Sequence, residues 1–238
     1  MPTELTLFVL TFFTSGMTAF VGVGGGMVLI AVLPFLLRPE AIIPLHGINQ
    51  FASNVSRAAA SRRHIRWRVV PSFLLGSLLG IVLMSLVVSV VSLEYIPLFI
   101  GGYMLLSLHS RRFNERIRRF ESYFVIGFFQ TGLSLVVGST GPLSMTLLFK
   151  EFHDKEVVVS TQATLMSTTH LFKIGAFLGM GFAFSEYAMT IVAMMLGSTL
   201  GSYAGTAFRR KIDTDRFNRV LKILLTLLAL KMIALIFF

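Results

Sequence analysis

The chain has 238 residues, of which 55% are hydrophobic and 13% are charged, and its mean hydropathy is +0.79. Soluble domains carry about 25% charged residues, so this composition predicts an all-α integral membrane protein without a separate soluble domain. The net charge of +10 does not indicate a nucleic-acid ligand, because most arginine and lysine residues fall in three short loops.

The first half of the chain is predicted to form a broken-helix hairpin followed by three membrane spans. An apolar helix over 5–21 leads into a cluster that includes Gly24, Gly25 and Gly26, and a short helix over 27–37 follows. The short helix would cover only about 16 Å of the roughly 30 Å of hydrocarbon, so this hairpin is expected to dip in and return. The predicted spans of this half are 41–61, 69–91 and 95–108.

The second half repeats this order. A helix over 121–137 leads into a second break at 138–142, and a short apolar segment extends to residue 149. An offset of 116 residues places Gly25 on Gly141. The remaining predicted spans are 157–182, 187–207 and 220–238. We therefore divide a single transmembrane domain, 1–238, into repeat one (1–109), a cytoplasmic linker (110–120) and repeat two (121–238).

The arginine-rich loops predict the topology. Loops 61–68, 109–120 and 209–219 are expected in the cytoplasm, and the turns at 93–94 and 185–186 outside. The Gly-Ser-x-Leu-Gly motifs at 76–80 and 197–201 then lie on spans that run in opposite directions. The two repeats are therefore predicted to be inverted in a multi-pass protein with both termini external. The motifs themselves are expected to serve close helix packing alone.

The two breaks are predicted to hold a small anion between them. Broken helices at matching places in two halves are typical of transporter sites, and helix N-termini present unpaired N–H groups and a positive dipole end. The alternative is that the breaks are only tight turns against neighbouring helices. The candidate binding residues at the breaks are Gly24, Gly25, Gly26, Ser139, Thr140 and Gly141.

The helix that follows each break carries a polar face at helical spacing. Because polar side chains at membrane depth are costly, they are expected either to line a pathway or to hydrogen-bond neighbouring helices. Both interpretations stay open for Asn49, Gln50 and Gln162, and Arg57 could instead extend to the inner surface. His170 and Lys173 are expected to place positive charge at the site, and His170 to couple a proton because imidazole titrates near neutral pH.

The acidic residues favour an anion over a cation as substrate. All eleven lie in loops or at helix ends, whereas a cation pump normally needs a buried carboxylate. The sequence contains no P-loop pattern and no cluster with metal-ligand spacing. No enzymatic activity, cofactor or metal is therefore expected.

Several of these features together resemble the sulfite exporter TauE/SafE family over nearly the whole chain. They are the breaks Gly22-Val-Gly-Gly-Gly26 and Gly138-Ser-Thr-Gly-Pro142, the polar helices with Asn49-Gln50 or Thr161-Gln162, and the Gly-Ser-x-Leu-Gly motifs. The resemblance implies transport of sulfite, sulfonates or related anions across the bacterial inner membrane, usually secondary and often outward. Because Ser139, Thr140 and Pro142 replace glycines of the family pattern, the two half-sites are expected to be unequal.

The leading hypothesis is a secondary transporter, and an exporter rather than an importer, of small sulfur-containing anions. The alternatives are a channel-like anion pathway and a membrane assembly scaffold without transport. The expected partners are a small anionic substrate and the lipid bilayer, not nucleic acid, with a homodimer left open. The exact anion, the direction, the coupling ion (proton, sodium or none) and the oligomeric state also stay open.

The inverted topology predicts which single cysteines an impermeant thiol reagent can reach. The chain has no cysteine of its own, so each introduced thiol reports alone. Ser92→Cys and Ser185→Cys should each react from outside intact cells, and Ser110→Cys should react only after the membrane is opened. Labelling of Ser110→Cys from outside would contradict the topology.

Overall fold

The computed structural model describes residues 3–21, 24–88, 95–119, 121–208 and 214–237, and every regular element within these ranges is helical. The α-helices in chain order are α1 (Thr3–Val21), α2 (Gly25–Val32), α3 (Pro39–Ala60), α4 (Val70–Val88), α5 (Ile96–His109), α6 (Arg111–Arg118), α7 (Tyr123–Val137), α8 (Pro142–Glu151), α9 (Lys155–Gly179), α10 (Ala188–Phe208) and α11 (Thr214–Phe237).

The predicted all-helical membrane class is confirmed. Among the described residues, three helical segments are long and apolar enough to cross a membrane, at Thr3–Phe20, Trp67–Val88 and Phe184–Ala207. Shorter apolar helices occupy Gly25–Phe35, Leu98–His109 and Tyr123–Val137. Helices α3 and α9, with 22 and 25 residues, are long enough to span but carry the polar faces.

Two predicted loops differ from the structure. The prediction of a loop over 109–120 is wrong, because α6 occupies Arg111–Arg118. Local contacts stabilise this helix: the Phe113 N–H donates to Ser110 Oγ at 3.2 Å, and Arg111 pairs with Glu115 one turn later at 2.7 Å. The last helix begins at Thr214 rather than at 220. The rest of that basic loop, residues 209–213, and the turn at 93–94 lie outside the described residues.

Both hairpin helices are short and buried by protein. Helix α2 has 8 residues and continues into a 3₁₀ turn at Leu33–Phe35, and α8 has 10 residues. At 1.5 Å per residue they cover about 12 Å and 15 Å, too little to cross the hydrocarbon. Leu29, Ile30 and Leu148 are fully buried. The described break residues, Gly24 and 138–141, are also buried, so this irregular backbone is shielded from lipid, as a membrane interior requires.

The principal helix contacts join the two halves of the chain. Helix α1 packs along α10, α4 along α7, α3 against α9, and α5 against α11. Helix α3 also contacts α10, and α9 also contacts α4. The polar helices α3 and α9 are therefore in contact with each other and with helices of both halves.

Glycines allow two of these helix pairs to approach with their backbones in contact. A Cβ added at Gly76 would lie 1.9 Å from the Phe124 carbonyl oxygen, and one at Gly80 would lie 2.1 Å from that of Phe128. The α1–α10 pair repeats this arrangement, with distances of 2.3 Å for Gly197 to Phe8 and 2.0 Å for Gly201 to Phe12. The packing role predicted for both motifs is confirmed.

Even one methyl group at such a contact should separate the helices. Gly80→Ala is expected to cost about 1–3 kcal/mol and to lower the melting temperature in detergent by about 2 °C or more, measured by differential scanning fluorimetry. Gly102→Ala is the matched control, because a Cβ there meets nothing within 4 Å and alanine favours a helix. Equal melting temperatures for the two variants would contradict the packing role of Gly80.

Candidate functional site

A cavity of about 30 Å³ lies between the two helix breaks. Residues from both halves line it, and seven of them are candidates from the sequence: Gly24, Gly26, Gln50, Arg57, Ser139, Gly141 and Gln162. The structure therefore brings both breaks and both polar helices to one place.

At the first break, three neighbouring glycines do different things. Gly24 has φ 107°, a conformation that favours glycine, and as the N-cap of α2 it has no side chain to cap that helix. Gly25 packs on α1, since a Cβ there would lie 1.8 Å from the Thr14 carbonyl oxygen. Gly26 lines the cavity beside Gln50. Gly25 is thus a packing residue rather than part of the cavity wall.

The second break is built differently. The Leu143 N–H donates to the Thr140 carbonyl at 3.1 Å, and the Ser144 N–H donates to Gln130 Oε1 at 2.9 Å. The Thr140 hydroxyl donates to the Gln130 carbonyl at 3.0 Å, and Pro142 has no N–H. The expectation of unpaired N–H groups at this helix N-terminus is therefore wrong for Leu143 and Ser144, and the hydroxyl of the candidate Thr140 is used within the break, because Gln130 and the local turn pair with these groups.

Each polar helix holds a carbonyl group of the break in its own half. His46 Nε2 lies 3.0 Å from the Gly26 carbonyl oxygen, and Gln162 Nε2 donates to the Gly141 carbonyl at 2.9 Å. His46 and Gln162 are themselves 116 residues apart, the offset that relates Gly25 to Gly141. The two helices therefore hold their breaks in similar ways with different side chains, although the two bonded carbonyls are 115 residues apart.

Arg57 places a positive charge in the cavity wall. Its side chain is only 3% exposed, and its guanidinium donates to Asn54 Oδ1. The Asn54 amide in turn donates to the Gln50 carbonyl at 2.7 Å. Arg57 is thus held inside the protein, and the alternative that it extends to the membrane surface does not apply.

Three of the candidate residues lie behind the cavity instead of lining it. Lys173 is fully buried and its Nζ donates to the Gly138 carbonyl at 2.6 Å. His170 is fully buried against His46, with ring centroids 5.8 Å apart in an edge-to-face arrangement. Asn49 is also fully buried and is not part of the lining.

Sequence reasoning left several neighbours of the cavity out of the candidate set. The lining also includes Thr18, Asn54, Pro142 and Met166. Gln130 is the largest omission, because it caps α8 from α7. The sequence feature that could have identified Gln130 is that it is the single amide side chain in the largely apolar α7. An amide in such a helix usually makes buried hydrogen bonds.

The chemistry of the lining suits an anion. It combines the Arg57 guanidinium with amide and hydroxyl groups, and no carboxylate is among the described residues that form it. Within the part of the chain that the structure describes, no group of three or more metal-ligating side chains occurs. A positive charge with neutral donors in a buried wall favours a negative ligand.

The sequence matches the sulfite exporter TauE/SafE family over residues 7–232. The chain belongs to that family. No curated protein and no solved structure matches the chain. Membership places this TauE/SafE protein among membrane transporters of sulfite and related sulfur anions, in agreement with its apolar helices and with the expectation that it is not an enzyme.

Removing the amide that caps α8 should destabilise the second break. Gln130→Leu leaves the buried Ser144 N–H without its acceptor, which is expected to cost roughly 1–3 kcal/mol and to lower the melting temperature. Phe129→Leu is the matched control, since Phe129 is the neighbouring residue and is 44% exposed. A Gln130→Leu protein as stable as the Phe129→Leu protein would refute the capping role.

Proposed function

We propose that this TauE/SafE protein is a secondary transporter that exports small sulfur-containing anions, such as sulfite or organosulfonates, across the bacterial inner membrane. The anion binds near the midplane, in the cavity between the two helix breaks. The observation that carries the proposal is the meeting of both breaks at one wall that contains Arg57. Family membership supports the class of substrate.

The cavity wall offers an oxyanion both charge and hydrogen-bond donors. Gln50 Nε2 is buried and has no hydrogen-bond partner among the described residues, so it is available to donate. The α2 N-terminus beside it adds the positive end of a helix dipole. Arg57 then supplies the charge that an anion needs in a poorly solvated place.

The size of the cavity supports a carrier with moving breaks. The cavity is small, at about 30 Å³, and we expect its walls to separate when a sulfur oxyanion binds. Gly24 and Gly138, with φ of 107° and 73°, adjoin the breaks and provide the backbone freedom. The α1–α10 and α4–α7 pairs, in backbone contact, form the rigid parts against which the breaks move.

The helix pairing supports two inverted repeats. In the two halves α1 corresponds to α7 and α10 corresponds to α4, so the α1–α10 pair is equivalent to the α7–α4 pair. The glycine contacts show the same equivalence: Gly197 packs on Phe8, and Gly76 packs on Phe124. Phe8 and Phe124 are 116 residues apart. Together with the arginine-rich loops, this pairing supports opposite orientations of the halves and external termini.

A channel and an assembly scaffold are the competing functions, and counterflow separates them from a carrier. Proteoliposomes preloaded with unlabelled sulfite are diluted into radiolabelled sulfite, with sulfate, thiosulfate, sulfoacetate and taurine tested as competitors. A carrier accumulates label transiently and saturates, and we expect sulfite and sulfonates to compete best. Linear flux without counterflow would indicate a channel, and no flux of any of these anions would refute the proposal.

Blocking the cavity should stop this exchange without unfolding the protein. Gly141→Leu is expected to lower sulfite counterflow at least tenfold, because a Cβ at Gly141 has its nearest contact, Gln162 Nε2, at 3.6 Å and the larger side chain fills the cavity. Gly175→Leu on α9, where a Cβ meets nothing within 4 Å, is the control. Gly25→Leu is not a suitable test, since it would disrupt the contact with α1.

Equal counterflow by the Gly141→Leu and Gly175→Leu proteins, both reconstituted to the same density, would place the anion elsewhere. A comparison of their melting temperatures separates a blocked cavity from a damaged fold.

A further inference from the structure

A buried group of three basic side chains lies directly behind the anion cavity. We call His46, His170 and Lys173 the basic cluster; each of the three is fully buried. The two imidazoles are in edge-to-face contact, and a Cβ at Gly47 would lie 3.1 Å from Lys173 Cδ, so Lys173 packs on the same stretch of α3. The function proposed above uses none of the three as a ligand.

The cluster is connected to both walls of the cavity through the backbone. His46 Nε2 bonds the carbonyl of Gly26, which is itself a lining residue. Lys173 Nζ bonds the carbonyl of Gly138, and the next residue, Ser139, lines the cavity. A change in charge or hydrogen bonding in the cluster therefore acts directly on the two breaks.

The imidazoles have unused capacity for a proton. Among the described residues, His46 Nδ1 and both ring nitrogens of His170 are buried without a hydrogen-bond partner. Buried polar atoms are normally paired, so three such atoms at one contact are unusual. A neutral imidazole has one acceptor nitrogen, and protonation turns that nitrogen into a second donor.

The charges around the imidazoles decide when a proton can enter. The groups that face them are Lys173 from α9, Arg57 from α3 and the Gly26 carbonyl from α2, with no carboxylate among the described residues there. A proton added beside these basic groups is disfavoured, but an anion next to Arg57 supplies compensating negative charge. Binding of the anion therefore favours uptake of the proton, and uptake of the proton favours binding of the anion.

We propose that the His46–His170 pair takes up one proton when an anion enters the cavity, so that anion and proton bind and cross the membrane together. This inference rests on the proposed function and specifies its coupling ion. Gln162 makes the corresponding bond to the Gly141 carbonyl in the second half but cannot titrate. The first break is thus the proton-responsive one.

The bond made by Gln162 also suggests which substitution tests the role of His46 most directly. His46→Gln keeps an amide donor for the Gly26 carbonyl, as Gln162 does in the other half, and removes only the titration. His170→Gln is the second test, and His109→Gln is the control, because His109 is exposed and bonds Thr226 Oγ1 at 2.8 Å.

Proton uptake on binding is measured by titrating the purified, full-length protein with sulfite in two buffers of different ionisation enthalpy. The wild type and the His109→Gln protein should take up about one proton more per bound sulfite than His46→Gln and His170→Gln. Sulfite's own protonation is the same for all four proteins at one pH, so the difference belongs to the protein.

The same proteins should differ in the pH dependence of binding. Because the protonated pair favours the anion, raising the pH removes the proton and weakens binding, by up to about tenfold per pH unit in the wild type. The two cluster variants should show a flatter profile.

Equal proton uptake by all four proteins would overturn the inference while leaving the transporter proposal intact. Failure of the wild type to bind sulfite would overturn both. If His46→Gln does not remain monodisperse in detergent, His170→Gln decides alone, because neither of its ring nitrogens holds a described partner whose loss could unfold the break.

Discussion

Backbone carbonyls exposed by a broken helix must find hydrogen-bond donors inside the protein, because the bilayer offers none. In this chain the donors are side chains of α3 and α9: His46 for Gly26, Gln162 for Gly141 and Lys173 for Gly138. This requirement accounts for the polarity of two helices that are otherwise long enough to face lipid. It also explains their central position, since only there can they contact both breaks.

The same requirement makes the two halves unequal. At the second break Gln130 accepts a hydrogen bond from the Ser144 N–H and Gln162 donates one to the Gly141 carbonyl. At the first break the N-cap Gly24 has no side chain, and the Gly26 carbonyl is held by the His46 imidazole. On the proposed function, the first break is therefore the one that adapts to an anion and responds to a proton. The second break is held by more side-chain hydrogen bonds, with Ser139 and Gly141 facing the cavity.

Close packing at glycines makes two helix pairs rigid, and the breaks are expected to move relative to these pairs. The α1–α10 and α4–α7 pairs bring backbone to backbone at Gly197, Gly201, Gly76 and Gly80, which leaves little freedom to slide. The hairpin helices α2 and α8 are instead short and buried, and the breaks before them contain Gly24 and Gly138 with positive φ. Motion is thus expected at the breaks and not within the paired helices.

The sequence by itself determined the membrane class, the two breaks, the polar helices and the family, because these depend on composition, on helical spacing and on a repeat that needs no tertiary information. The family follows from motifs that persist along nearly the whole chain. Helical periodicity also placed Gln50, Arg57 and Gln162 on the correct faces. These are local properties, and the three-dimensional structure left them unchanged.

Only the tertiary structure decided which polar residues line the cavity and which lie behind it. Periodicity defines a face but not the neighbour that meets it, so Lys173 and His170 share a face with Gln162 and yet lie outside the lining. Gly25 and Gly26 are adjacent in sequence, but one meets α1 and the other meets the cavity. Gln130 caps a helix 14 residues away, because α7 and α8 are folded against each other.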